Sequence, residues 1–310
     1  MTRSVSVVIP VYNSQETLRT LVARLDEALS GDYELVLVND GSSDDSWREI
    51  QALSRDDEHI RGLDLARNFG QHNALLAGIR AARNDVVVTL DDDLQNPPEE
   101  VPRLLAELDS GLDLVYGTPR RSGHGFIRNL GTELTKRALV PVIGKEAARN
   151  VSAFRAFRTE LRDGFSSFGG PHVSIDALLA WTTTRVGAVP VEHRGREAGR
   201  SSYTVRRLVG YALTMLTAFS TRPLRLASLL GLASTLFGVV VLGFVVVRYL
   251  LEGVAAPGFA FLASIIAIFS GAQLLTLGVI GEYLARMHER SMSKPSYVVR
   301  RETGASVSGE

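Results

Sequence analysis

From Ser4 to about Gly117, short apolar runs alternate with stretches of helical spacing. SVSVVIPVY, YELVLVN, IRGLDLA, DVVVTL and LDLVYG are runs dominated by Val, Ile and Leu. Continuous apolar runs of this length suit strands covered on both faces. Between them lie SQETLRTLVARLDEAL, SDDSWREIQALSRD, GQHNALLAGIRAAR and PEEVPRLLAELDSG, which have the length and spacing of helices. Strand–helix alternation predicts an α/β unit with a mostly parallel sheet and right-handed crossovers. In such a sheet ligands gather at the carboxyl ends of the strands.

The pattern changes after residue 200. Leu226–Val247 and Phe259–Gly281 contain no charged residue, and Arg248, Glu252 and Glu282 are the only charges between Leu226 and Ala285. About 20 mainly apolar residues suffice for a helix to cross the hydrocarbon core, so two transmembrane helices are expected, over about 226–248 and 259–282. Arg206, Arg207, Arg222 and Arg225 precede them, and Arg286, Arg290, Lys294, Arg300 and Arg301 follow. Positive flanks predict that both ends face the cytoplasm. Leu208, Tyr211, Ala212, Met215 and Phe219 share one helical face, which reads either as an in-plane interfacial helix over 201–222 or as a helix packed on the soluble domain. The opening MTRSVSVVIPVYN enters a strand-like run that ends at a proline. It lacks a signal-peptide pattern, so a cytoplasmic domain over 1–200 is expected. Residues 286–310 read as a cytoplasmic tail, with the small, polar 302–310 stretch expected to be disordered.

Composition narrows the chemistry. The chain has 310 residues, 34 Lys+Arg against 34 Asp+Glu, and no cysteine. A zero balance does not point to nucleic acid, and the lack of thiols excludes a disulfide scaffold, a thiolate metal site and a cysteine nucleophile. Neither GxGxxG nor GxxxxGK[ST] occurs, so a dinucleotide fingerprint and a P-loop are unsupported. Of the six histidines, His72, His124, His172 and His193 are scattered and show no metal-ligand spacing.

The polar residues instead collect at strand ends. Pro10, Tyr12 and Asn13 follow the first strand, NDGSSDDS with Asp40 follows the second, and DDDLQNPPEE follows the fourth. NDGSSDDS alone is ordinary turn chemistry. Asp91, Asp92 and Asp93 repel one another and are costly to bury unpaired. Alone they could form a solvated acidic turn before the helix near Pro98. Beside two other polar strand ends they favour a hard cation, with Asp91 and Asp93 on one side and Asp92 on the other.

In this order, VSVVIPVYN, LVLVNDGSSDDS, LDLARNFGQHNALLAGI and VVTLDDDLQNPPEEVPRLL resemble the family 2 glycosyltransferases, and more narrowly their polyprenyl-phosphate glycosyltransferase group. With FSTRPLRLASLLG and the two apolar runs, the resemblance covers essentially the whole chain. It implies a GT-A fold, a nucleoside diphosphate sugar donor with UDP favoured over GDP, a polyprenyl phosphate acceptor and Mg2+ or Mn2+. It also implies inversion at the anomeric carbon, a place at the inner face of the cytoplasmic membrane, and leaves room for a homo-oligomer. Asp40 and the Pro10–Asn13 loop would hold the nucleoside, with Asp91 and Asp92. Asp91 and Asp93 would be the outer positions of the DxD metal motif. Gln95, Arg120, Arg128, Thr132, Ser152 and Arg155 would face the diphosphate or the acceptor phosphate, with Arg128 also assigned to catalysis.

Two positions depart from the group's pattern. Arg149 stands where an acid is common, and Ser202 stands in GRSSY where a lysine is usual; Arg196 or Arg200 would supply the lost charge. A phosphate monoester is already largely ionised near neutrality, its second pKa being about 6, so the acceptor needs no general base. Competing readings are a non-catalytic membrane adaptor, a soluble nucleotidyltransferase, and a polysaccharide synthase, whose QxxRW motif does not occur here.

Overall fold

The computed structural model describes residues 3–120, 150–170, 173–193, 222–252, 258–292 and 294–304. The chain forms two compact units, Met1–Leu208 together with Ser293–Glu310, and Val209–Met292.

The first unit is built on an eight-stranded mixed sheet. The five expected strands are β1 (Val5–Val11), β2 (Tyr33–Asn39), β3 (Ile60–Leu65), β4 (Val86–Thr89) and β5 (Leu114–Pro119). Three more complete it: β6 (Arg155–Arg158), β7 (Val186–Val191) and β8 (Val299–Thr303). The order is β7-β5-β6-β4-β1-β2-β3-β8. Strands β3, β2, β1 and β4 run parallel, whereas β6 lies antiparallel between β4 and β5. The expected tail over 286–310 is corrected by β8, because Val299–Thr303 pairs antiparallel with β3. Arg301 finds a buried acid there and Thr303 caps a backbone N–H, partners outside the reach of composition.

Period-two alternation divides the core between two faces. Val5, Val7, Ile9 and Val11 of β1 and Leu35 and Leu37 of β2 pack with α1 (Leu18–Ala28), α2 (Ser46–Asp56) and α4 (Val101–Leu108). Val8, Val36 and Val38 pack on the other face with α3 (Gln71–Ala81) and α5 (Ile175–Thr182). Both faces are covered, so continuous apolar strands are what the layers demand. In α1 the buried set Leu18, Leu21, Val22 and Leu25 forms one stripe.

Pro10 sits inside the central strand β1, where a missing N–H usually costs a ladder bond. The Val8 carbonyl accepts from Leu90 on the β4 side, and the Val11 carbonyl accepts from Asp40 on the β2 side. Alternation therefore turns Pro10 toward β4, whose pairing with β1 ends at Val8 and Thr89. The proline stands where that neighbour's pairing has run out.

The second unit contains α6 (Arg222–Glu252) and α7 (Phe259–Ser291). Leu224–Arg248 and Ile268–Ala285 are long and apolar enough to cross a membrane, with mean hydropathy 2.5 and 1.3, and neither segment is buried. Leu229, Leu232, Leu236, Val240 and Phe244 of α6 are exposed. Gly238 of α6 faces the ring of Phe269 of α7, an approach that a Cβ would obstruct. The in-plane helix expected over 201–222 lies outside the described residues, except for Arg222, which opens α6.

At the opposite end of β2 from the polar loops, Glu34 is buried, accepting from Ser6 Oγ at 2.6 Å, Arg61 Nη1 at 2.9 Å and the Arg83 N–H at 2.7 Å. Replacing Glu34 with Ala leaves the Arg61 guanidinium buried without its counter-charge. Glu34→Ala is expected to cost about 3–5 kcal/mol, read as a lowered melting temperature of the detergent-solubilised chain.

Candidate functional site

Four segments meet at the carboxyl ends of β1 to β4. The loop after β1 is tied to the loop after β2. The Asn13 N–H donates to Ser42 Oγ at 3.0 Å, and Asn13 Oδ1 accepts from the Ser43 N–H at 2.8 Å. The Ser14 N–H donates to Ser46 Oγ at 2.9 Å. Asn13 holds a left-handed φ of 53°, and Leu94 in the acidic loop holds 58°. They are the only non-glycine residues in that region among the described residues. Such strain concentrates at functional sites and persists only where neighbours enforce it.

The three acids of the β4 end take three different partners. Asp91 Oδ1 accepts from Gln71 Nε2 at 2.6 Å. Asp92 Oδ2 accepts from the Tyr12 N–H at 3.1 Å and from Ser14 Oγ. The Asp92 carbonyl accepts from Thr17 Oγ1 at 2.9 Å. Asp93 folds back on its own loop, accepting from the Gln95 N–H at 3.2 Å and from Gln95 Nε2. Burial, with Asp93 and Asp92 close by, pushes Asp91 up to about 7. Burial also raises Asp92, against the donors from Ser14 and Tyr12. A cation beside Asp91 and Asp93 would relieve this crowding.

Asp40 is buried, and both carboxylate oxygens are engaged: Oδ1 accepts from the Phe69 N–H at 2.7 Å and Oδ2 from the Gly70 N–H at 2.9 Å. Burial raises its pKa while those two N–H groups and Arg67 oppose the rise. Asp40 thereby fixes the RNFG turn that opens α3, and α3 in turn delivers Gln71 to Asp91. Gly41 next to it has φ 66°, and a Cβ there would overlap backbone atoms of Arg67 and Asn68. Arg67 lies over the Phe69 ring at 4.3 Å. Gln71 and Arg67 were not singled out in the sequence, although both sit in the RNFGQHNA stretch that carried part of the resemblance.

Arg155, expected to face a phosphate, has partners inside the fold. Its side chain is 2% exposed on β6. Nη1 donates to Asp176 Oδ1 at 2.5 Å and Nε to Thr89 Oγ1 at 3.1 Å, and the Tyr116 hydroxyl reaches the same Asp176 oxygen at 3.1 Å. Its positive charge acts on the site from below, lowering Asp91 against the effect of burial. His72 adjoins this network, its Nδ1 accepting from the Ile175 N–H at 3.4 Å, and desolvation depresses its pKa, with Arg155 adding to the effect.

Of the remaining expected residues, Ser152 Oγ accepts from the Phe154 N–H at 3.2 Å. Arg120 ends β5 exposed, its N–H bonded to the Val191 carbonyl. Arg128, Thr132, Arg149, Arg196, Arg200 and Ser202 lie outside the described residues. The structure thus brings together Tyr12, Asn13, Asp40, Asp91, Asp92, Asp93 and Gln95, and turns Arg155 to a partner inside the fold.

Among the described residues no three or more His, Asp or Glu side chains converge into a closed metal cage. The donors present, two crowded carboxylates at Asp91 and Asp93, fit a hard cation that takes one or two protein oxygens and completes its shell with phosphate and water.

Known proteins were compared with this chain. The profile of glycosyl transferase family 2 matches residues 6–165. Over 306 residues the chain is 37% identical to the undecaprenyl-phosphate 4-deoxy-4-formamido-L-arabinose transferase of Klebsiella pneumoniae subsp. pneumoniae, covering 96% of this chain and 93% of that one. Glucosyl-3-phosphoglycerate synthase from Mycobacterium tuberculosis, crystallised with Mn2+, UDP and glucosyl-3-phosphoglycerate, aligns with a TM-score of 0.53 at 22% identity, over 69% of this chain and 78% of that one. The latter is a likeness of fold.

Gly41 and Gly111 separate backbone conformation from packing. Gly111 has φ 103° and open space where a Cβ would go. Gly111→Ala is expected to lose roughly 1–2 kcal/mol of stability, and Gly41→Ala roughly 2–5 kcal/mol, because overlap adds to the backbone cost. Thermal unfolding of the two variants under one condition checks the order.

Proposed function

The chain belongs to glycosyl transferase family 2, and from that premise we propose that it moves a sugar from a nucleoside diphosphate donor to a polyprenyl phosphate, with inversion at the anomeric carbon. It is a glycosyltransferase with the GT-A fold and a pair of apolar helices. The observation that carries the acceptor assignment is the 37% identity, sustained over nearly both full lengths, to a transferase whose named acceptor is undecaprenyl phosphate. The second unit supports it physically. A polyprenyl chain is insoluble in water, so its phosphate is available only at the bilayer surface, and two helices long enough to span hold the catalytic unit there.

In this reading the loop of Pro10, Tyr12 and Asn13, with Asp40, holds the nucleoside, and UDP is the favoured base and phosphate set. Asp91 and Asp93 hold Mg2+ or Mn2+, which when bound supplies positive charge to the leaving diphosphate. Asp92 keeps the β1 loop against the acidic loop through Tyr12 and Ser14. Gln71 and Gln95 hold Asp91 and Asp93 in place. Arg155 lends its field to the acids from within the fold. The acceptor phosphate needs positive partners but no general base, since its own oxygen is anionic near neutrality. Arg120, Arg128, Thr132, Ser152, Arg196 and Arg200 are assigned to that phosphate or the donor diphosphate, and Arg128 to catalysis. The arginines flanking the apolar helices support a topology with both termini and the catalytic unit on the cytoplasmic side of the inner membrane. The product is a lipid-linked sugar available to envelope glycan or lipid modification.

The test is transfer from a panel of radiolabelled nucleotide sugars by the chain in membranes containing polyprenyl phosphate. A solvent-extractable labelled lipid is expected, lost on chelation and reduced by roughly 10²-fold or more in Asp93→Ala. A chain that yields no lipid product with any donor, while Asp93→Ala functions like wild type in cells, is an adaptor and not a transferase.

A further inference from the structure

A polar chain, buried at Asp64 and Asn39, crosses three strand ends and finishes on an exposed residue that follows the apolar helices. Asp64 lies on β3 with its side chain 5% exposed. Its Oδ1 accepts from Asn39 Nδ2 at 2.7 Å, and its Oδ2 accepts from Arg301 Nε at 3.0 Å and Nη2 at 2.7 Å. Arg301 stands opposite Asp64 in the β3–β8 register, and its guanidinium lies 5.3 Å from the Trp47 ring centroid. Asn39 ends β2 directly before Asp40, and its Oδ1 accepts from the Ser42 N–H at 3.3 Å. Ser42 Oγ then accepts from the Asn13 N–H.

The direction of each bond follows from the one before it. A carboxylate only accepts, so Asp64 compels Asn39 to present its amide NH2 to β3 and its oxygen to the β2 loop. That oxygen is what the Ser42 N–H requires. Arg301 gives the buried Asp64 side chain a counter-charge and two donors. Without it, Asp64 faces one neutral amide in a site that disfavours an unpaired anion. Asp64 is then no longer held in place, Asn39 can turn over, and its NH2 would meet the Ser42 N–H.

We propose that Arg301 is a positioning residue for the donor nucleotide, acting through Asp64 and Asn39 on the Asp40–Ser43 turn and on Asn13. The inference rests on the reading that these loops hold the nucleotide. It adds that donor affinity depends on a strand placed after the second apolar helix, from which residues 292–298 alone separate it in sequence.

The experiment uses the full chain in lipid nanodiscs, with UDP and Mn2+ titrated by calorimetry and steady-state transfer measured against donor and acceptor. Arg301→Ala is expected to raise the UDP Kd and the donor KM about tenfold, with kcat at saturating donor and the acceptor KM unchanged. Arg301→Lys keeps a cation at Asp64. It is expected to melt with wild type and bring the donor KM most of the way back, which separates positioning from loss of fold. Arg300→Ala, which removes the neighbouring cation at the point where the β3–β8 register shifts, is the control and should match wild type. Unchanged UDP Kd and donor KM in Arg301→Ala overturn the inference, as does a fall in kcat without a change in donor KM. Wild type that binds UDP but transfers no sugar to lipid contradicts the acceptor reading and leaves the Arg301 comparison intact by its Kd. Wild type that binds no nucleotide overturns both.

Discussion

Three consecutive carboxylates on one strand end repel one another, and the site is organised around how that repulsion is met. Each acid is given a different neighbour. Asp91 takes Gln71 from the start of α3, Asp92 takes the loop after β1, and Asp93 takes Gln95 from its own turn. Asp92 thus serves as a staple between β1 and β4, strands whose pairing ends before Pro10. In the proposed reading, Asp91 and Asp93 are the pair that holds the cation. The three acids lie beyond the end of β4, where the chain turns, and the hydrogen bonds give them their division of labour.

The same economy runs through the neighbouring loops, where buried acids act on backbone more than on solvent. Asp40 grips the Phe69 and Gly70 N–H groups, and that grip sets the start of the helix that carries Gln71. Asp64 grips Asn39 and Arg301. Parallel strands bring four successive turns to one edge, but local bonds of this kind give the edge a fixed shape. The positive φ values at Asn13 and Leu94 are the backbone cost of holding it.

Much of the fold was readable from hydrophobic pattern. Strands β1 to β5 and helices α1 to α4 fall where continuous Val/Ile/Leu runs and amphipathic stretches put them, because both faces of the sheet are covered. β8 was not readable, since VRRET is a short polar edge strand whose reason for pairing lies on β3, more than two hundred residues earlier. That the acidic loop and the β1 and β2 loops come together was readable, because strand ends are where a parallel sheet collects its polar residues. The partners of Arg155 were not readable, for the opposite reason. Sequence shows an arginine near the expected phosphate site, but the acid that claims it, Asp176, stands on a helix that spacing cannot bring into contact. Gln71 was overlooked because an amide at a helix start carries no signal until Asp91 is seen beside it.

The division of labour among the three acids can be measured directly by Mn2+ electron paramagnetic resonance of the full chain in nanodiscs with UDP present. The account predicts that Asp93→Asn loses the bound Mn2+ signal while Asp92→Asn retains it, with any weakening confined to UDP affinity. Retention of bound Mn2+ in Asp93→Asn together with its loss in Asp92→Asn would contradict the assignment and, with it, the reading of the site.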